Sequence, residues 1–208
     1  MDEDYAFFLK KFGPATASRI VPSSSMKRYE GKLPAQLLQY WDDYGWCGHA
    51  NGLFWTVNPQ DYEPIIEQWL AGTKLSEHDI YHVIARSAFG QLYLWGEKTA
   101  NSLSITSYMS RYSYIPSALN AENVDFGVRL FFSTMQPERN DLDHLFESAL
   151  KKLGSLEADE MYGFVPALAL GGPMELKNLQ KVKVIEHLEF LSQLSPLSPL
   201  QDWGFPDL

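Results

Sequence analysis

Four short stretches, Tyr81–Ala88, Gln91–Trp95, Ser102–Tyr108 and Tyr112–Ile115, follow one another with only a few residues between them. That spacing restricts the fold more than any other feature, because short connections and the turns Phe89-Gly90 and Gly96-Glu97 favour antiparallel neighbours. Helical patterns flank the strands on both sides. Tyr5, Phe8, Leu9 and Phe12 recur at helical spacing behind Asp4 as a cap, and Gly13-Pro14 stops them. The polar stretch Ser23–Arg28 reads as loop or edge structure. Leu33-Pro34 opens a second helix with Leu37, Leu38, Trp41 and Tyr44 as its buried stripe, Gln39, Asp42 and Asp43 toward solvent, and Gly45 at its end. Gly48–Gly52 reads as a turn, Gly52–Val57 as a strand, and Tyr62–Leu70 as a helix closed by Gly72.

Beyond the strands, helices are expected near Ala121–Phe132 and over Asp141–Leu153. The second has acids at its start and Lys151 and Lys152 in its last turn, matching the helix dipole. Met161–Leu170 reads as a mostly apolar strand region, and Val182–Leu194 as a helix with Ile185, Leu188 and Leu191 on one face. Composition shifts near residue 116: every tryptophan but Trp203 and every tyrosine but Tyr162 precedes it. The expected fold is α+β, with two closely packed α+β subdomains and a mainly antiparallel central sheet flanked by helices. The units are residues 1–115, residues 116–194, and a proline-containing tail, 195–208, in which Trp203 can dock onto the body.

The 208 residues are 45% hydrophobic and 14% aromatic, ample for a buried core. A net charge of −9 and a pI near 5.0 argue against the clustered basic face of a nucleic-acid binder. Cys47 is the only cysteine, so no intrachain disulfide forms. The acidic start Met-Asp-Glu-Asp is unlike a signal peptide, and no apolar run approaches the ~20 residues of a membrane span. A cytoplasmic location is expected, with no membrane contact.

Between Leu33 and Leu70 lie Asp42, Asp43, Asp61, Glu63 and Glu67, four tryptophans, and no lysine or arginine. Such a stretch projects a negative field toward basic partners. Most of its rings belong to a core on the plainer reading. As a binding surface it would use those five acids for steering, with Tyr40, Trp46 or Tyr62 as anchors. A second group, Glu138, Asp141, Asp143, Glu157, Asp159 and Glu160, competes for the same role.

Catalytic patterns are weaker. Cys47 and His49 pair a thiol with an imidazole, but a glycine-flanked turn supplies no orienting group or oxyanion donor. His78 and His82 have the spacing of two ligands on one helical face, without a third ligand. Gly171-Gly172-Pro173 lacks the lysine and hydroxyl of a phosphate loop. No cofactor and no metal is expected.

The segments Leu33–Gly45, Gly52–Pro59 and Val83–Trp95 together resemble the GAD-like domain. Met161–Pro173, followed by Val182–Leu191, is similar to the C-terminal domain that accompanies it. That pair resembles the immunity proteins encoded beside DNase effectors of bacterial type VI secretion systems, over roughly residues 3 to 192. The resemblance implies a non-enzymatic antitoxin that binds a cognate nuclease toxin through that toxin's basic surface. Two other readings stay open: a regulatory module of the SMI1/KNR4 kind, and a hydrolase using Cys47 with His49 or metal-bound His78 and His82.

Overall fold

The strands expected from residue 81 onward form the middle of one larger sheet. The computed structural model describes residues 2–100, 102–117 and 123–200. The first half of the chain supplies α1 (Glu3–Phe12), β1 (Thr16–Arg19), α2 (Ser23–Tyr29), α3 (Ala35–Tyr44), β2 (Trp46–His49), β3 (Phe54–Thr56), α4 (Glu63–Leu70) and α5 (Lys74–His78). Four strands follow: β4 (Tyr81–Ser87), β5 (Gln91–Gly96), β6 (Ser102–Thr106) and β7 (Arg111–Ile115). The rest is α6 (Val124–Thr134), α7 (Leu145–Leu153), β8 (Glu160–Phe164), β9 (Leu179–Lys183), α8 (Val184–Leu194) and β10 (Ser198–Pro199).

Eight strands pair in the order β1-β2-β3-β4-β5-β6-β7-β10, all antiparallel except β7 with β10. β8 and β9 make a separate hairpin. Side-chain alternation in the strands divides the core into two. On one face Val83, Leu92, Leu94, Leu103 and Ile105 pack with α4, α7, α8 and the β8–β9 hairpin. On the other, Phe54, Ile84, Ala85 and Trp95 pack with α1, α3 and α6. The fold is therefore α+β with helices on both faces of a mainly antiparallel sheet.

Both cores cross residue 116. Val128, Phe132 and Met135 of α6 and its end complete the first-half cluster of Tyr5, Phe8, Phe12 and Trp41. Polar groups reinforce this packing. Lys11 Nζ donates to the carbonyls of Ser133 (2.7 Å) and Met135, which α6 leaves without helical partners at its C-terminus. Asp125 accepts from Gln36 N–H at 2.8 Å, capping α3, whose Pro34 has no side-chain oxygen to do so. On the other face Arg86 of β4 is fully buried and donates to the carbonyls of Ala158 (3.0 Å) and Glu160 (2.9 Å). Gly90 sits at φ +81° in the β4–β5 turn, where an added Cβ would lie 2.6 Å from Met161 Cε.

Local departures have local causes. Asp2, not Asp4, caps α1, accepting from Tyr5 N–H at 2.9 Å. Ser23–Arg28 is not a loop but most of α2, whose Tyr29 is buried beside Trp41 and His82. Gly48–Gly52 is not wholly a turn, because β2 runs to His49 with all four of its residues buried. A strand covered on both faces shows no alternation. The expectation for Trp203 lies outside the described residues.

A candidate docking surface

The acids of Leu33–Leu70 do not share one face. Asp42 and Asp43 are exposed on α3, and Asp43 accepts from Gln39 Nε2 at 3.0 Å. Asp61 and Glu67 are exposed on and before α4, whose Ile65, Ile66, Trp69 and Leu70 pack on the opposite side of the sheet. Glu63 is engaged by Arg28 and by the Tyr29 hydroxyl at 2.8 Å. Its partial burial raises its pKa, but those two donors outweigh that and hold it below the usual range. The three expected anchors are inside: Tyr40, Trp46 and Tyr62 are at most 5 % exposed. Tyr40 donates to Asp2 at 2.6 Å, Trp46 meets Trp41 edge-on, and Tyr62 lies in the cluster with Trp55. Amphipathic packing uses these rings, so none is available as a surface anchor.

The second acidic group also divides. Asp159 is paired with Lys183 at 2.7 Å and Glu160 with Lys181 at 2.9 Å, across the β8–β9 hairpin. The Lys183 ammonium holds Asp159 below the ordinary carboxylate range. The Glu157 N–H, then Lys181, do the same for Glu160. These acids, with Glu157 donating its N–H to Glu160, are locally neutralised.

Asp141 has a different setting, lining a hollow of about 470 Å³ shared by the two halves of the chain, with Glu138 directly after the lining residue Pro137 and Asp143 two residues beyond Asp141. Leu53, Phe146 and Leu150 give it an apolar base, while Asp141, Glu147 and Lys151 supply the charge. Asp141 also accepts from Phe146 N–H at 2.9 Å, so it orders the start of α7. Ala50 and Asn51, at φ +49° and +57°, line the hollow from the first half. Leu142, Asp143 and His144 form an unbroken left-handed run at +49°, +53° and +64°. Ala50 and Asn51 thus line the hollow, and the run 142–144 joins its lining residues Asp141 and Phe146. Side chains disfavour that region, and such strain gathers where a surface has a task.

The hollow residues Ala50, Asn51, Leu53, Phe146, Glu147 and Leu150 escaped sequence reasoning. The only available signal was Glu147 four residues before Lys151 on a well-marked helix.

The catalytic alternatives fare differently from their sequence spacing. Cys47 Sγ and His49 Nε2 are 3.3 Å apart, but both residues are buried. The Gly13 carbonyl can only accept, so His49 Nδ1 donates to it (3.3 Å) and Nε2 accepts from the thiol. Burial raises the Cys47 pKa and lowers that of His49 to about 4, the reverse of an activated thiolate pair. His78 ends α5 and His82 lies in β4, where it meets Glu97 at 2.9 Å, so the two do not share a helical face. Among the described residues no group of three or more His, Cys, Asp or Glu side chains has the placement to hold a metal. No described helix is long and apolar enough to cross a membrane.

Residues 3–109 match the family model described as the GAD-like domain. The chain belongs to the GAD-like family. Residues 125–195 of this GAD-like chain match a second family model, described as the C-terminal domain of the type VI secretion immunity protein Tdi1. The two matches leave both walls of the hollow inside recognised segments: Ala50–Leu53 in the first, Pro137–Lys151 in the second. Among solved structures, the crystal structure of Atu4351 from Agrobacterium tumefaciens is similar in fold. It aligns with a TM-score of 0.83 at 23% identity, covering 93% of this chain and 90% of that one. Comparison with curated proteins gives no match. The GAD-like chain therefore carries a type VI secretion immunity domain, which implies a toxin protein as partner.

Proposed function

We propose that this chain is the antitoxin of a type VI secretion DNase, binding its cognate nuclease in the cytoplasm and preventing it from cutting DNA. The observation that carries the reading is the immunity-domain match, whose residues include Asp141 and Glu147 lining the shared hollow. A nuclease needs cationic surface where DNA lies. Acids set around an apolar base suit a lysine or arginine with its aliphatic stem. Steering by charge raises the association rate, and burial of the apolar base supplies residence time. Neutralisation on this reading is by occupancy, with no cofactor and no bond made or broken.

The test is to purify the chain with the product of the neighbouring gene and follow plasmid cleavage by that product. Stoichiometric addition of the chain is expected to abolish cleavage and to form a complex that survives gel filtration. Undiminished cleavage with no complex at micromolar concentration would refute the proposal.

A further inference from the structure

The turn Pro137–Arg139 separates the acidic hollow from a larger groove of about 650 Å³ on its other side. Among the described residues the helical layer on that face is incomplete here. α1, α3 and α6 pack on residues of β2, β3, β4 and β5, and neither β6 nor β7 contributes a residue to their core. β6 turns Leu103 and Ile105 to the fully covered face and leaves Ser102, Ser104 and Thr106 half-buried on this one. Ser113 of β7 continues that short-chained floor. One wall is α6, with Leu130, Phe131 and Thr134, and the far rim is Ile115 and Leu200. Leu130, Ile115 and Leu200 are 46%, 65% and 48% exposed, more than a soluble surface needs at one place.

Charge identifies the kind of occupant. Among the described residues no acid lines the groove, and Arg139 is the one charged residue there. Arg139 makes no ion pair among the described residues, and it is an exposed residue of the groove's lining. An apolar trough closed by a free guanidinium complements an apolar segment bearing a carboxylate. Among the described residues no helix lies on the groove side of α6, and a helix is what would complete the layer. Packed helices stand about 8–10 Å apart, and the serine floor lets one approach the sheet closely.

We infer that this groove receives an amphipathic helix of the cognate toxin, its apolar face on Leu130 and Ile115 and a carboxylate of it on Arg139. The inference rests on the antitoxin reading. It adds a second contact, opposite in charge to the first and adjoining it through the turn Pro137–Arg139. The toxin then docks on two hollows that differ in chemistry, which makes recognition selective as well as tight.

The experiment titrates the neighbouring-gene toxin, made inactive by a catalytic substitution, into wild type and into Leu130→Asp, Ser104→Trp and Arg139→Glu. Leu130→Asp and Ser104→Trp are expected to raise Kd by about 30-fold or more, as for a central anchor, and Arg139→Glu by about tenfold. All three positions are at least partly exposed, and circular dichroism checks that each variant is folded. Hydrogen exchange on the unmodified chain is a second measure, with amides of α6 and β7 expected to slow in the complex. Wild-type affinity in all three variants, or unchanged exchange at α6 and β7, overturns the groove assignment and leaves the antitoxin reading standing. Failure of wild type to bind overturns both.

Discussion

Two acidic regions of this molecule have opposite fates. In Leu33–Leu70 the acids are close in sequence, and the sheet separates them: α3 carries two on one face, while α4 and its approach carry three on the other. In Glu138–Glu147 the acids are fewer, but a left-handed run and a helix start bring Asp141 and Glu147 beside residues from the opposite half of the chain. Proximity along a chain is therefore a poor guide to a shared field once a strand intervenes. What creates the second surface is docking of the two halves.

The strongest way to break that comparison is to loosen the docking. Arg86 is wholly buried, with its Nη atoms on the carbonyls of Ser87, Ala158 and Glu160 and its guanidinium 5.2 Å from the Trp55 ring. Burial pushes its pKa below the ordinary value, an effect Tyr62 opposes. Replacing both members of a buried polar contact can be neutral, but Arg86→Met leaves three carbonyls without their donor. The expected loss is about 3–5 kcal/mol, or on the order of 10 °C in melting temperature for a chain of this size. Toxin affinity should fall with it, since the hollow needs both halves. A melting point within about 3 °C of wild type would mean that the apolar core alone holds the halves together.

Acid should produce the next largest change. His49 is buried and neutral, one residue before the left-handed pair Ala50 and Asn51. Its pKa falls from an ordinary value near 6.5 to about 4 because burial penalises the cation, with the Gly13 carbonyl opposing. The unfolded chain therefore binds the proton more tightly. Stability is full above pH ~6.5, declines as pH falls toward 4, and levels off below, for a total loss of about 3 kcal/mol. Urea unfolding at pH 7 and pH 4.5 measures it. His49→Gln should flatten that part of the profile, whatever it costs at neutral pH, and an unchanged slope would remove His49 as its source.

The second region was the harder one to read from sequence. The strands from Tyr81 to Ile115, the α3 stripe and the C-terminal end of α7 were legible because periodicity and turn residues are local signals, but the helix expected from Asp141 starts only at Leu145, after the left-handed run. β1 was not, since Thr16–Arg19 is exposed along its whole length and shows no alternation. The hollow depends on Leu142 and Ala50 adopting a left-handed conformation that neither residue type favours, and only tertiary packing can impose that. Likewise nothing local distinguished Tyr40 as core from Tyr40 as anchor: the decision came from Phe132, which meets its ring edge-on from the other half.

Charge reversal then compares the regions directly. Glu138→Lys with Glu147→Lys places one cation in the hollow and one directly after its lining residue Pro137, and should weaken toxin binding about 10- to 100-fold, mainly by slowing association. The defect should grow as salt is lowered, because screening no longer hides the repulsion. Neither side chain makes a hydrogen bond or ion pair among the described residues and both are exposed, so any change in stability should come only from losing the attraction of Glu138 for Lys11.

Asp42→Lys with Asp43→Lys is the matching change in the first region, and the smallest expected effect. Both acids are exposed on α3, and the one contact of Asp43 is a surface hydrogen bond to Gln39. Neither lines the hollow or the groove. Stability should move by no more than about 0.5 kcal/mol, the usual range for surface changes. Toxin affinity should change by less than about threefold at physiological salt, where charges beyond ~8 Å are largely screened. The measurement is the same titration at two salt concentrations. A loss equal to that of the Glu138 and Glu147 pair would show that the toxin wraps onto α3, and that both acidic regions meet one partner despite lying in separate surroundings.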